Sequence, residues 1–461
     1  MDTTAIEWDQ ALIEKYNYSG PRYTSYPTAL EFSEDFTDTQ FAIECGRYPS
    51  RPLSLYVHIP FCHQLCYYCG CNKVITRHQH KADDYLDVLI NEVRQRASLL
   101  GNRSVTQLHF GGGTPTFLTE SQITRLMTEL RAQFAFAPEA EISIEIDPRR
   151  IELSLLDHLR AEGFNRISIG VQDFNKEVQQ RVNREQDEQF IAAMVARASE
   201  LGFRSTNLDL IYGLPTQTQA RFAHTLEQVV ALRPGRLSIF NYAHMPTLFA
   251  AQRKIDEAEL PSATEKLAIL QHTIAALTGA GYQFIGMDHF ALPDDELAKA
   301  QRAGELHRNF QGYTTQGECD LLGLGVSAIS MMGDAYAQNQ KELKLYRQDV
   351  AEKHQALWRG VPLTTDDKIR RDVIKQLICN FTVNVTEIET QYEIDFADYF
   401  VEDIAQLSNF IDDNLVEVHL TDPVPRIDVT PKGRLLIRNI CMCFDRYLRQ
   451  KMRQKQFSRV I

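Results

Sequence analysis

Nothing in the sequence approaches the roughly 18 to 20 consecutive apolar residues that a bilayer-spanning helix needs, and no segment repeats or falls into low complexity. A helical membrane protein and a repeat array are therefore excluded. Basic residues are in deficit: 49 lysines and arginines face 61 aspartates and glutamates, a formal charge of -12. A surface built for nucleic acid needs a concentrated basic field, so that function is set aside, and an anionic ligand would need arginines gathered locally. The opening MDTTAIEWDQALIEKYNYSG has acidic residues and no apolar stretch, unlike a secretory signal or transit peptide. The expected compartment is the cytoplasm, with no membrane or nucleic-acid partner. Cysteine is scarce too, nine residues in 461, which excludes a dense disulfide framework.

That scarcity is uneven. Cys62, Cys66, Cys69 and Cys71 fall within ten positions, in HIPFCHQLCYYCGCNK. Where thiols are kept reduced, such bunching reads as a metal or redox site. Structural zinc usually takes two ligand pairs separated by a longer span, and C-x3-C-x2-C-x-C fits that poorly. Three thiolates at x3 and x2 spacing suit a [4Fe-4S] cluster with one iron left open for a substrate or cofactor. Cys71 either closes the cluster or, pointing differently from Cys69, has a role of its own. The scattered Cys45, Cys319, Cys379, Cys441 and Cys443 read as buried small hydrophobes.

The rest is ordinary for a folded chain, 44% hydrophobic and 24% charged, and its length predicts two domains. From about residue 53 to 290, short β-branched runs alternate with helical periods: LSLYVHI, VTQLHF, EISIEI, RISIGV, TNLDLIYG, RLSIFNY and GYQFIGM. In LSLYVHI, Leu53, Leu55, Val57 and Ile59 share one face. Thr119 and Gln122 form a capping box, and Gly163 stands where a left-handed helix cap belongs. Strands alternating with helices imply a parallel sheet, and six or seven such units suit an open or closed barrel. Chemistry is then expected at the C-terminal strand ends: His58 and the cysteine loop, GGGTP at 111–115, Glu145 and Asp147, Gln172 and Asp173, Asp209, and Asn241 to His244. From about residue 365 a helix, two strands (LVEVHL, RIDVT) and the helix PKGRLLIRNICMCFDRYL suggest a winged-helix-like packing or lid domain. The basic tail LRQKMRQKQFSRV reads as a solvated helix face.

The spacing C-x3-C-x2-C, with Tyr68 before the last cysteine, and GGGTP after the next strand resemble the radical S-adenosylmethionine enzymes. Further motifs, PRYTSYPTA, CGCNK, GVQDFN, DLIYGLP, GMDHFA and NFQGYTTQ, make essentially the whole chain similar to the family of bacterial oxygen-independent coproporphyrinogen III oxidases. The resemblance implies an α/β fold: a partial (β/α)6 TIM-like barrel (46–360), a smaller, mostly helical C-terminal domain (361–461) and an N-terminal arm (1–45) contributing to the substrate site. It implies decarboxylation of two propionates of coproporphyrinogen III to vinyl groups in haem biosynthesis, through a 5'-deoxyadenosyl radical. A haem-binding chaperone of the same superfamily is the alternative, but typically lacks the CGC extension and the PRYTSYPTA arm present here.

By the same resemblance, Cys62, Cys66 and Cys69 hold the cluster, and Gly112 and Gly113 let backbone groups approach the methionine end of S-adenosylmethionine. Glu145, Tyr56 and Ile329 contact the first cofactor molecule. Tyr68, Gly113, Thr114, Gln172, Arg184, Asp209 and Ala243 match positions around a second. Cys71 is a catalytic candidate without an assigned step. Arg22 is the leading partner for substrate carboxylates, with Phe310 and Gln311 as further lining and Lys73 and Arg308 as cations of unassigned aim. His58, beside the cluster, is set apart from His63, His289 and His307, which read as structural or solvated. The expected partners are a tetrapyrrole, an electron donor and a terminal electron acceptor, and the expected state is a monomer.

Overall fold

The structure, a computed structural model, describes residues 5–450. It forms two compact units, one comprising Phe32–Thr273 and Glu318–Pro362, the other the residues up to Glu31, Ile274–Gly317 and the chain from Leu363. The expected division into 1–45, 46–360 and 361–461 follows chain order, whereas these units interleave. In the second, Arg438 donates to the Pro21 carbonyl at 2.9 Å, Asn439 to the Tyr16 carbonyl at 2.9 Å, and Tyr23 to Asp445 at 2.9 Å. These bonds join the N-terminal arm to the C-terminal segment.

The first unit is built on a sheet of β1 (Leu53–Ile59), β2 (Ser104–Gly112), β3 (Ala135–Ile146), β4 (Arg166–Gln172), β5 (Ser205–Tyr212), β6 (Arg236–Asn241), β7 (Asp320–Leu324), β8 (Ile329–Met332), β9 (Ala335–Asn339) and β10 (Leu357–Pro362). Its order is β10-β9-β8-β7-β1-β2-β3-β4-β5-β6. From β7 through β6 every pairing is parallel, and β7 to β10 form an antiparallel extension. Helices His80–Ala97, Glu120–Gln133, Leu155–Ala161, Glu188–Glu200 and Gln219–Leu232 alternate with the first six strands, the (β/α) order of a partial barrel. The capping box forms, with Gln122 N–H donating to Thr119 Oγ1 at 3.3 Å and Thr119 N–H to Gln122 Oε1 at 3.0 Å. Gly163 takes φ +88° behind Leu155–Ala161.

Strand alternation separates two chemistries. Leu53, Leu55, Val57 and Ile59 are completely buried, each side chain contributing roughly 1.5–3 kcal/mol relative to exposure. The opposite face is polar and in register: Ser54 bonds Gln107 at 2.8 Å, and Gln107 bonds Glu141 at 3.1 Å. One layer higher Tyr56, His109 and Ser143 stand side by side.

Two expectations change. GYQFIGM does not add a seventh parallel strand: Gln283–Gly286 folds back antiparallel onto His289–Ala291 in the other unit. Gly286 at φ +145° and Met287 at φ 53° make the reversal. The parallel neighbour on the free side of β1 is instead β7. In the second unit, Val416–His419 and Arg426–Val429 pair as expected, joined by Thr382–Asn384. The last helix is broken, into the turn Gly433–Leu436 and helices Ile437–Met442 and Arg446–Gln450. The basic tail from Lys451 lies outside the described residues.

Candidate active site

The cysteine loop follows β1 directly and is stitched at its base by a short parallel ladder between Phe61–Cys62 and Val74–Ile75. Within it, each of the three cluster candidates accepts a hydrogen bond. Thr114 Oγ1 donates to Cys62 Sγ at 3.3 Å, Arg149 Nη2 and Arg184 Nη1 to Cys66 Sγ at 3.3 and 3.4 Å, and Cys71 N–H to Cys69 Sγ at 3.4 Å. Cys62 and Cys66 are buried, Cys69 is half-buried and Cys71 exposed. Among the described residues, no three His, Cys, Asp or Glu side chains converge as a single metal ion would require. A cuboidal cluster takes each thiolate on a different iron, and donors on the sulfurs are what such a cluster needs. The three thiols fit it.

The thiols are not equivalent. Burial pushes Cys62 up to about 12, so without a bound cation it stays a thiol. A hydrogen bond from the Cys71 thiol, with Lys73 close by, draws Cys69 down to about 6, and the same bond holds Cys71 up as a thiol. Lys73 Nζ donates to the carbonyls of Cys69 at 3.0 Å and Cys71 at 3.3 Å. Its aim is thus the loop itself.

A buried ion-pair group supports the cluster loop. Burial raises the Asp147 carboxyl, but the guanidinium of Arg184 and the hydrogen bonds of Arg149 outweigh it and hold Asp147 ionised, well below the usual range. Arg149 donates to Asp147 at 2.5 Å and Arg184 to the Gly170 carbonyl at 2.6 Å. Arg149 also reaches the Asn183 carbonyl at 3.2 Å, and Asn183 bonds the Leu65 carbonyl at 2.7 Å. Sequence reading passed over Arg149, although DPRR directly after a strand end on the expected face was a usable signal.

The glycine motif earns its composition from close packing. A Cβ on Gly113 would stand 2.8 Å from the Pro60 carbonyl carbon and oxygen, and one on Gly112, at φ +119°, 2.7 Å from the His58 ring. Neither site admits a side chain. Gly112 N–H donates to Glu145 Oε2 at 3.2 Å, while the Glu145 side chain keeps 43% of its exposure, an oriented and open carboxylate. Tyr56 stacks on His109 at 5.9 Å, and His109 Nε2 lies 3.4 Å from Glu145. His58 Nε2 faces the Asn72 carbonyl at 3.1 Å, so it carries the proton and Nδ1 accepts from Tyr56 OH at 3.1 Å. Burial lowers the pKa of His58, making it a neutral strut under Gly112.

Farther round, Gln172 takes φ +67°, and its buried Oε1 has no partner. Backbone strain and an unanswered acceptor on a strand end point to a ligand. Asp209 accepts from Ser168 and Asn207, each at 2.8 Å. Tyr68 packs beside Val178, Val182, Ile211 and Tyr242. Gln252, also missed in the sequence, donates to the carbonyls of Tyr68 at 2.9 Å and Ala243 at 3.2 Å, bracing both. Ile329 lies against Gly323, the register partner of Tyr56.

The second unit holds the remaining candidates. Arg22 pairs with Asp288, Arg308 sits 4.6 Å over the Tyr313 ring, and Phe310 and Gln311 form a hairpin tip. His289 meets Tyr313 edge-on at 5.2 Å, and in the first unit His63 covers Phe117 at 4.4 Å.

Residues 56–229 match the Radical SAM superfamily. The oxygen-independent coproporphyrinogen III oxidase of Salmonella typhimurium is 68% identical over 461 residues, covering 100% of both chains. That of Pseudomonas aeruginosa is 51% identical over 461 residues, 99% of each. The solved structure of coproporphyrinogen III oxidase from Escherichia coli, described as a radical SAM enzyme, matches with TM-score 0.93 and 66% identity over 96% of this chain and 100% of that one.

Proposed function

The chain belongs to the oxygen-independent coproporphyrinogen III oxidases, and from that membership we propose how its own residues carry the reaction. The activity is oxidative decarboxylation of two propionate side chains of coproporphyrinogen III to vinyl groups, giving protoporphyrinogen IX in haem biosynthesis. When bound, the [4Fe-4S] cluster and S-adenosylmethionine supply a carbon radical able to take a hydrogen atom from an unactivated C–H bond, which no side-chain acid or base can do. Each propionate then loses carbon dioxide and one electron.

The observation that carries the assignment is the set of hydrogen bonds on Cys62, Cys66 and Cys69. Those three would hold the cluster, and Arg149, Arg184 and Thr114 would tune it through the sulfurs. Gly112 and Gly113 keep the floor bare, so main-chain groups meet the methionine end of the cofactor. Glu145 offers its open carboxylate to ammonium or ribose hydroxyls, with Tyr56 and Ile329 beside it. Gln172, Arg184, Asp209, Tyr68, Thr114 and Ala243 would take a second cofactor molecule, a reading supported by the unanswered Gln172 Oε1. Cys71 keeps its proton beside the cluster loop, a thiol available for a later step.

Arg22, Phe310 and Gln311 stand for substrate recognition, the part proposed for the N-terminal arm and the hairpin. An electron donor and a terminal acceptor are required partners, and a monomer working in the cytoplasm is the proposed state. The nine cysteines, all free thiols, support a reducing compartment, and no helix among the described residues is long and apolar enough to cross a membrane. Reduced, reconstituted protein supplied anaerobically with coproporphyrinogen III should form protoporphyrinogen IX with release of methionine, and Cys66→Ser should abolish both. Methionine release without porphyrinogen conversion would refute the substrate assignment.

A further inference from the structure

The hairpin of His307–Asn309 and Gly312–Thr314 turns through only Phe310 and Gln311. Gly312 adopts φ +124°, and the Asn309 side-chain Oδ1 accepts the Gln311 N–H at 2.9 Å, so the tip is fixed by its own local contacts. Across the hairpin Arg308 faces Tyr313 and lays its guanidinium over that ring. One face of the guanidinium is thereby occupied, and Arg308 also hydrogen-bonds the Tyr313 side chain, but two of its nitrogens are unanswered. Arg308 Nε and Nη1 are buried without an acceptor, and so is Gln311 Nε2. Among the described residues no carboxylate pairs with Arg308.

A guanidinium stays charged at any working pH, and buried donors without acceptors are costly. An anion at the tip removes that cost. The stack on Tyr313 fixes the plane of the Arg308 guanidinium, so either unanswered donor can make a charge-assisted bond to a carboxylate oxygen, and the Gln311 amide adds a further donor. We propose that Arg308 and Gln311 form a carboxylate clamp that reads one propionate of the substrate. The clamp rests on the functional reading above, in which the ligand is a tetrapyrrole with four carboxylates. Arg22, already held by Asp288, is thus not the sole cation toward them.

The test compares coproporphyrin III, the fluorescent oxidised tetra-acid, with its tetramethyl ester in equilibrium binding to anaerobic holoprotein. Arg308→Gln should weaken binding of the acid by about ten- to hundredfold, the loss of a charge-assisted pair, and leave the ester unchanged. The KM for coproporphyrinogen should rise by a similar factor while the KM for S-adenosylmethionine stays put. Arg308→Lys should fall between, and Gln311→Glu, which sets a like charge beside the carboxylate, should weaken the acid selectively. Should Arg308→Gln lose the cluster or fail to fold, the other two variants decide. Unchanged acid binding, equal loss for acid and ester, or a shift in the cofactor KM instead would overturn the clamp. Failure of the wild-type holoenzyme to convert coproporphyrinogen would strike the functional reading, whereas normal wild-type turnover with indifferent variants would strike the clamp alone.

Discussion

Asp209 stands on the polar face of β5, opposite Gly170 in register. Burial, helped by the charge of Glu145, pushes its carboxyl from 3.8 up to about 6, against the hydrogen bonds of Ser168, Asn207 and Ser238 that lower it. The folded state therefore holds the proton to higher pH than the unfolded chain. Stability is unaffected by this group below about pH 4, falls as pH rises toward 6, and stays reduced above that. A shift of about two units at about 1.4 kcal/mol each costs roughly 3 kcal/mol near pH 8, and contact of Asp209 with solvent brings this toward 2. Asp209→Asn keeps an acceptor for Asn207 and removes the charge. In the cofactor-free protein it should raise the unfolding temperature at pH 8 by about 3 to 6 °C, and at pH 4.5 the gain should shrink to about a third. On the proposed role of Asp209 beside a second cofactor molecule, turnover should nevertheless fall, because the amide loses the charge and replaces one acceptor oxygen with a donor. Thermal unfolding followed by circular dichroism at the two pH values reads the effect. Destabilisation at pH 8, or an equal change at both, would refute the reasoning.

Cys66→Ser should lose the cluster absorbance, and Cys71→Ser should retain it while losing turnover; bleaching in both variants would make Cys71 a ligand. Arg149→Leu removes one of two guanidinium donors from Cys66 Sγ, so the cluster potential should fall by on the order of 50 mV in an anaerobic redox titration. Gly113→Ala drives a methyl group onto the rigid Pro60 carbonyl, so about 1–3 kcal/mol of stability should go, with cofactor binding lost in calorimetry. Tyr85 OH donates to the His58 carbonyl at 2.7 Å and accepts from Val326 N–H at 3.1 Å. Tyr85→Phe leaves both groups buried and unanswered, and thermal denaturation should show a loss of roughly 2–4 kcal/mol.

Much of this protein is written locally. Alternation in LSLYVHI and its successors is a backbone property with a period of two, so it set the polar and apolar faces of each strand without reference to neighbours. The capping box at Thr119 and the cysteine spacing are equally short-range, and the three thiols with their open-iron pattern were legible from positions 62 to 69 alone. What the sequence could not supply was partnership. The charge state of Asp147 depends on Arg184, 37 residues away, and Arg149 gains meaning only because the loop after β3 reaches Cys66. His58 stood apart from the other histidines only by its place at a strand end beside the cysteines, and became a neutral strut once Asn72 and Tyr56 were seen to take both ring nitrogens. The parallel strand beside β1 comes from residues 320–324, because a sheet edge is completed by whichever segment the long-range fold delivers to it. Local chemistry determined which residues were capable of holding the cluster and its cofactor. Tertiary structure decided which donors answer their charges, since hydrogen bonds and ion pairs act over a few ångströms in space whatever their separation along the chain.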